Sequence, residues 1–237
     1  MTPKELQQAS AKLGLPLEAK QLAQFATYYA LLVAWNEKMN LTALTDPEEA
    51  YLKHFYDSLT LVMAYPLQGS PTLVDVGSGA GFPSIPLKIA YPNLKVVIVD
   101  SLKKRLTFLA ELVDTLGLEQ VELHHARAED FGQNKKYRGQ FDLVTARAVA
   151  RMTVLAEYCL PLARKGGSFI AMKGSQGQEE LAQAKHAIAT LGGKVASVKT
   201  LQLPGEDSRR EIIVIQKTKE TPNKYPRKAG TPNKNPL

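Results

Sequence analysis

Residues 73–83 read L-V-D-V-G-S-G-A-G-F-P, an apolar strand running straight into a turn with three glycines. A side chain on such a turn would hold a ligand off, so alternate glycines point to close backbone approach to something bound. Asp75 leads into the turn, and Gly77, Gly79 and Gly81 follow as G-x-G-x-G. That spacing departs from the G-x-G-x-x-G of dinucleotide sites and disfavours a nicotinamide oxidoreductase. The next apolar run, residues 96–99, ends in Asp100, 23 residues beyond Gly77. An acid there can accept hydrogen bonds from ribose hydroxyls. The glycine turn and the two acids together predict a nucleoside site.

Outward from this turn, short β-branched runs alternate with helical ones, the pattern of an α/β unit. Strands are expected at 72–76, 95–99, 120–124, 141–146, 167–172, 194–202 and 209–216. The last two have no helix between them, only Pro204, Gly205, Glu206 and Asp207. They must therefore form an antiparallel hairpin, because a parallel pair needs a crossover of about a dozen residues. Before Gly69-Ser70-Pro71 the chain reads as helical. Thr2, Pro3 and Glu5 form a capping signature for a first helix to about Leu13, a longer helix is expected over Leu17 to Asn40, and Asp46 opens a third. The expected organisation is a helical extension over 1–68, an α/β domain over 69–217, and a basic, proline-rich tail over 218–237.

The chain of 237 residues is 44% hydrophobic, enough for a sizeable core, and has no apolar run long enough for a bilayer. With no apolar leader after Met1, neither membrane insertion nor export is expected, and the cytoplasm is the default. The single Cys159 rules out an internal disulfide and a multi-cysteine metal site, and no metal is expected. Net charge is +7, of which residues 216–237 supply +5, with six basic side chains against one acid. Polyanion binding is thus suggested by the tail more than by the body. Pro222, Pro226, Pro232 and Pro236 space the cations as an extended strap, unless Tyr225 or Arg227 folds back on the domain.

Ligands in open α/β sheets lie beyond the carboxyl ends of the strands. Ala128 and Glu129, after the third strand, are placed to meet an adenine; the fourth strand ends in T-A-R-A around Arg147, and the fifth in Lys173-Gly174. No Asn-Pro-Pro-Tyr-like cluster for an exocyclic amine and no cysteine for pyrimidine addition follows the fourth strand.

An acid two residues before G-x-G-x-G, with a seven-stranded sheet ending in a hairpin, resembles the class I S-adenosylmethionine-dependent methyltransferases, a Rossmann-like fold whose last strand is antiparallel. More narrowly, Leu73 to Pro83, Asp100-Ser101, Arg127-Ala128-Glu129, the T-A-R-A around Arg147 and Lys173-Gly174 resemble the bacterial RsmG (GidB) family of small-subunit rRNA guanine-N7 methyltransferases. Trp35, Asn40-Leu41-Thr42 and His54 with Asp57-Ser58 resemble that family's N-terminal pattern. The resemblance implies methyl transfer from S-adenosylmethionine to N7 of a guanine near position 527 of 16S rRNA, with the small ribosomal subunit as partner. A monomer is expected. Gly77, Phe82, Ala128, Glu129 and Arg147 would line the cofactor site, joined by Asp75, Gly79 and Asp100 from the motif itself. Arg147, Lys173, Arg227 and Lys228 are the candidate contacts to RNA.

N7 of guanine carries a lone pair and no proton, so its attack on a sulfonium methyl needs no general base, and none is assigned. Arg147 is the best candidate for a positioning role, through the cofactor, O6 or a phosphate and not through N7, since an arginine donating to N7 would occupy the lone pair that must react. Two other readings stand beside this one: a methyltransferase for another RNA or a small molecule, and a non-catalytic RNA-binding assembly factor.

Overall fold

The computed structural model describes residues 1–237. At its centre, β1 (Thr72–Val76) pairs in parallel with β2 (Lys95–Asp100) and β4 (Phe141–Arg147). Outside these lie β3 (Val121–His125) and β5 (Ala163–Lys173). The hairpin of β6 (Gly193–Gln202) and β7 (Arg209–Lys217) completes the sheet, with β7 antiparallel to β5, in the order β3-β2-β1-β4-β5-β7-β6. The expected strands are all present, their ends mostly shifted by a residue or two. β5 alone starts four residues early, where Ala163 pairs with Phe141 across a register shift.

Alternation along the strands decides which face each side chain serves. Leu73, Val96, Ile98, Leu143 and Ile212 point to one core, and their neighbours Val74, Val99, Val144 and Ile213 to another. β2 is covered on both sides, which is why Val96 to Val99 read as a continuous apolar run. The first face is covered by α1 (Pro3–Lys12), α2 (Ala19–Asn36), α5 (Ser84–Ala90) and α6 (Lys103–Thr115). On the second lie α7 (Ala128–Gln133), α8 (Met152–Cys159) and α9 (Gly177–Thr190). The N-terminal helices share their core with the sheet: Phe25, Tyr28 and Phe55 are buried in one cluster with Leu73 and Phe108.

The first helix begins as its signature requires, with Glu5 N–H donating to Thr2 Oγ1 and Thr2 N–H donating to the Glu5 carboxylate. The second helix stops at Asn36, four residues short of expectation. There the Asn36 side chain accepts from Leu41 N and Thr42 N, so the amide turns the chain that periodicity alone would have continued. The third helical stretch changes pitch along its length. α3 (Pro47–Ala50) opens into a π-helical segment (Tyr51–Tyr56), and α4 (Asp57–Leu59) then tightens into a 3₁₀ turn (Thr60–Met63). Such π segments concentrate at functional sites, and this one carries His54 and leads into Asp57.

The tail is not an extended strap. It returns to the second face, burying Tyr225 and Pro226, and ends in the short α10 (Thr231–Lys234). Arg138 donates to the carbonyls of Thr221 and Tyr225, while Gln133 donates to that of Pro226. Lys217 is buried and donates to Thr221 Oγ1 and to the carbonyl of Leu160. Arg227 forks onto the carboxylate of Glu157, which is 0% exposed. A carboxylate buried in α8 requires a cation, and the tail delivers it.

Candidate functional site

The row of strand ends β3-β2-β1-β4 sets the residues after them side by side, at about 4.8 Å per strand. A cleft of about 450 Å³ runs along this row, lined by Glu129, Asp100, Gly77 and Val149 among others. The three turn glycines sit at φ of +72°, +61° and +99°, the left-handed region that explains their identity. Their surroundings differ. A Cβ on Gly77 would lie 2.9 Å from the Val149 side chain, whereas one on Gly79 would meet nothing within 4 Å. A Cβ on Gly81 would lie 2.7 Å from Tyr28 Oη and 2.8 Å from Ile85 Cγ1, both in the core. Gly81→Ala is therefore expected to add about 1–3 kcal/mol of overpacking to the ~1–2 kcal/mol of left-handed strain that Gly79→Ala also incurs. Urea denaturation of the two variants checks this, and equal losses would refute it.

The three acids behave differently from one another. Asp75 lies beneath the turn and does not line the cleft; its Oδ2 accepts from Ser84 N at the start of α5, and Oδ1 has no partner. Burial pushes its pKa up to about 7. Asp100 borders the cleft, accepting from Leu102 N (2.9 Å) and Gly79 N (3.3 Å), with Arg105 NH1 at 3.5 Å. Glu129 Oε1 accepts from Gly230 N at 2.7 Å. Tyr158, on the same wall, has its pKa pushed to about 12 by burial and by the charge of Glu129. Ala128 also lines the cleft, as do Arg105, Gly230 and Asn233, which the sequence did not single out. Nothing local marks them: Arg105 arrives from α6, and Gly230 and Asn233 from the tail, which is remote in sequence from the strand ends it joins.

Phe82 and Arg147 lie outside this cleft, in a second cluster. Phe82 is stacked between Tyr28 (5.5 Å between centroids, 12°) and His54 (4.4 Å, 13°), with the Arg147 guanidinium carbon 5.0 Å from its ring. Arg147 NH1 donates to Asp57 Oδ2 at 3.0 Å and to the carbonyl of Lys53 at 3.2 Å, and NH2 lies 3.4 Å from His54 Nδ1. A second cleft of about 460 Å³ opens beside this cluster, lined by Lys53, Arg147, Lys173 and Arg210. The two clefts share Ala148, itself at φ +55°. Lys173 is held by Glu180 (2.7 Å) and the Ala150 carbonyl (2.8 Å), so it fixes the loop after β4. Arg227 is committed to Glu157 and to the Asn235 carbonyl, while Lys228 is exposed.

His54 is kept neutral. Burial, followed by the Arg147 charge, pulls its pKa down to about 4. Arg147 donating to Nδ1 places the ring proton on Nε2, which then donates to Thr42 Oγ1 at 2.7 Å. Below pH 6.5 the unfolded chain takes up a proton that the folded one refuses. The stability from His54 is therefore whole above about 6.5 and lost as pH falls toward 4, by at most about 3 kcal/mol. The raised Asp75 acts in the opposite sense, because the folded protein binds its proton first as pH falls below 7. The expected result is thus a difference: His54→Asn should narrow its stability deficit against the parent protein between pH 6.5 and 4. A constant deficit in urea titrations over that range would refute it.

The family described as GidB, rRNA small subunit methyltransferase G, matches residues 21–213. A protein of Exiguobacterium sp. named ribosomal RNA small subunit methyltransferase G is 61% identical, over 94% of each chain. One of the same name from Lactobacillus johnsonii is 60% identical over the full length of both. Among solved structures, a 16S rRNA adenine-N1 methyltransferase of Catenulisporales acidiphilia, crystallised with its cosubstrate, superposes with a TM-score of 0.55 at 19% identity. It covers 65% of this chain and 88% of its own. No helix is long and apolar enough to cross a membrane.

Proposed function

Since this chain belongs to the rRNA small subunit methyltransferase G family, we propose that it methylates N7 of a guanine in the decoding region of 16S rRNA. It is an S-adenosylmethionine-dependent RNA methyltransferase, and we place it as a monomer in the cytoplasm acting on the small ribosomal subunit.

The first cleft fits the cofactor. Its volume of about 450 Å³ lies within the range for small-molecule sites. Asp100 and Glu129, both buried, retain lone pairs for ribose hydroxyls and an exocyclic amine beyond the hydrogen bonds they already accept. When bound there, S-adenosylmethionine supplies an electrophilic methyl group. Gly77 leaves the backbone bare beside it, and Lys173 pins the loop from Ala148 to Ala150 that separates the two clefts.

The observation that carries the N7 assignment is the commitment of the one imidazole at the second cleft. Both His54 nitrogens are engaged, by Arg147 and by Thr42, and the ring stays neutral. The acids lining this cleft are also paired, Asp57 with Arg147 and Arg210, Glu180 with Lys173 and Glu211 with Arg209, so the site is built to position its substrate, which is all that an unprotonated ring nitrogen requires. Orientation alone is worth roughly 7–11 kcal/mol of a barrier. Arg147 uses three of its donor contacts on Lys53, His54 and Asp57, so those that remain serve a guanine O6 or a phosphate.

The reading is tested by incubating small subunits from cells lacking this protein with the purified chain and methyl-labelled cofactor. Mass spectrometry of the digested rRNA should find one new N7-methylguanine. Label on another atom, or no label on RNA, would overturn the assignment.

A further inference from the structure

The tail ends where the cofactor cleft begins. Gly230 N–H donates to Glu129 Oε1 at 2.7 Å, and both Gly230 and Asn233 line the cleft. Asn233 follows Gly230 by three positions on α10, which puts the two on one side of that turn. The segment is anchored just upstream by Arg227, whose backbone N–H, Nε and NH2 all bind the buried Glu157 carboxylate, and NH2 also binds the carbonyl of Asn235. The tail is thus built into the wall by hydrogen bonds on both sides of the cleft residues.

Glu129 follows β3, the adenine end of the strand row, while Asp100 follows β2 at the ribose. Beyond the bond from Gly230, the Glu129 carboxylate keeps lone pairs for an exocyclic amine. An asparagine carboxamide offers one acceptor and two donors, a pattern complementary to the amine and ring nitrogens of adenine. We propose that the C-terminal tail is a cofactor-binding element of this enzyme, with Gly230 orienting Glu129 and Asn233 addressing the adenine edge. This rests on the reading that the first cleft takes S-adenosylmethionine. It also gives the tail a use that its charge does not reveal.

The test uses S-adenosylhomocysteine and calorimetry on the full chain, on Asn233→Ala, and on a chain ending at Arg227, which keeps the Glu157 pair. Loss of a directional hydrogen bond corresponds to about tenfold in affinity, so both variants should bind about tenfold more weakly. Asn223→Ala, on the same tail with its side chain exposed, should bind like the parent. Because a ligand that touches the docked tail must stabilise docking, saturating S-adenosylhomocysteine should also slow tryptic cleavage after Lys228 and Lys234 about tenfold. If the parent chain binds no S-adenosylhomocysteine, the assignment of the cleft itself fails. If the parent binds and either variant stays within twofold of it with an unchanged melting temperature, the tail is a bystander and the proposal is overturned.

Discussion

Arg147→Ala is expected to lose at least about a hundredfold in methylation and about 3 kcal/mol in stability, while leaving cofactor affinity within twofold. The stability loss follows from burial: Asp57 sits in the core edge with Arg147 at 3.0 Å, and breaking a buried pair costs roughly 3–5 kcal/mol. Arg210, 3.5 Å from the other oxygen of Asp57, remains as a partial partner and keeps the loss near the lower end. Loss of the cation over Phe82 adds about 1 kcal/mol or more. Activity falls because one guanidinium ties the β4 end to the π-helical turn that carries His54, so its removal frees the wall of the second cleft. Arg147→Lys should not rescue, since an ammonium cannot reach Asp57, the Lys53 carbonyl and His54 together. Turnover on small subunits and S-adenosylhomocysteine affinity are the two readouts. If affinity for S-adenosylhomocysteine collapses along with turnover, Arg147 reaches the cofactor and the division between the two clefts is wrong.

Arg227→Ala is expected to destabilise the fold by about 3–5 kcal/mol, although the residue lies ten positions before the last residue in a segment that reads as an extended tail. It would leave the Glu157 carboxylate in a fully buried position with only the Arg227 backbone N–H as donor. Tyr225, packed beside it in the second core, would loosen as well. The ion pair itself is not the source of stability. Replacing both partners, as in Glu157→Leu with Arg227→Met, should recover most of the loss, because an apolar pair of similar volume avoids desolvating two charges. Guanidinium denaturation of the two single variants and the double variant gives the coupling directly. A loss under about 1 kcal/mol for Arg227→Ala would mean that the tail is not docked in solution.

The seven strands, their hairpin and the glycine turn are legible in residues 72–217 because each is set by near neighbours. Side-chain alternation, left-handed φ at Gly77, Gly79 and Gly81, and the missing crossover before β7 all act within about a dozen residues. So is the row of strand-end residues, since strand order fixes it. Which of those residues face a ligand is not legible. Asp75 and Asp100 are equivalent in the sequence, yet the first caps α5 beneath the turn and the second borders the cleft. Phe82 follows the glycines directly but is taken up by Tyr28 and His54 from the N-terminal helices.

The tail shows the same limit from the other side. Composition gives it a charge and a set of prolines, and both are correct, but they describe the chain in water. Whether Arg227 meets phosphate or carboxylate is decided by Glu157, 70 residues earlier, whose burial in α8 leaves a charge that must be answered. The sequence by itself determined the sheet, its closing hairpin and the glycine turn, because sterics and hydrophobic periodicity are local. Only the tertiary structure decided which charges are spent inside and which groups wall the cleft, because burial depends on what the rest of the chain has already excluded from water.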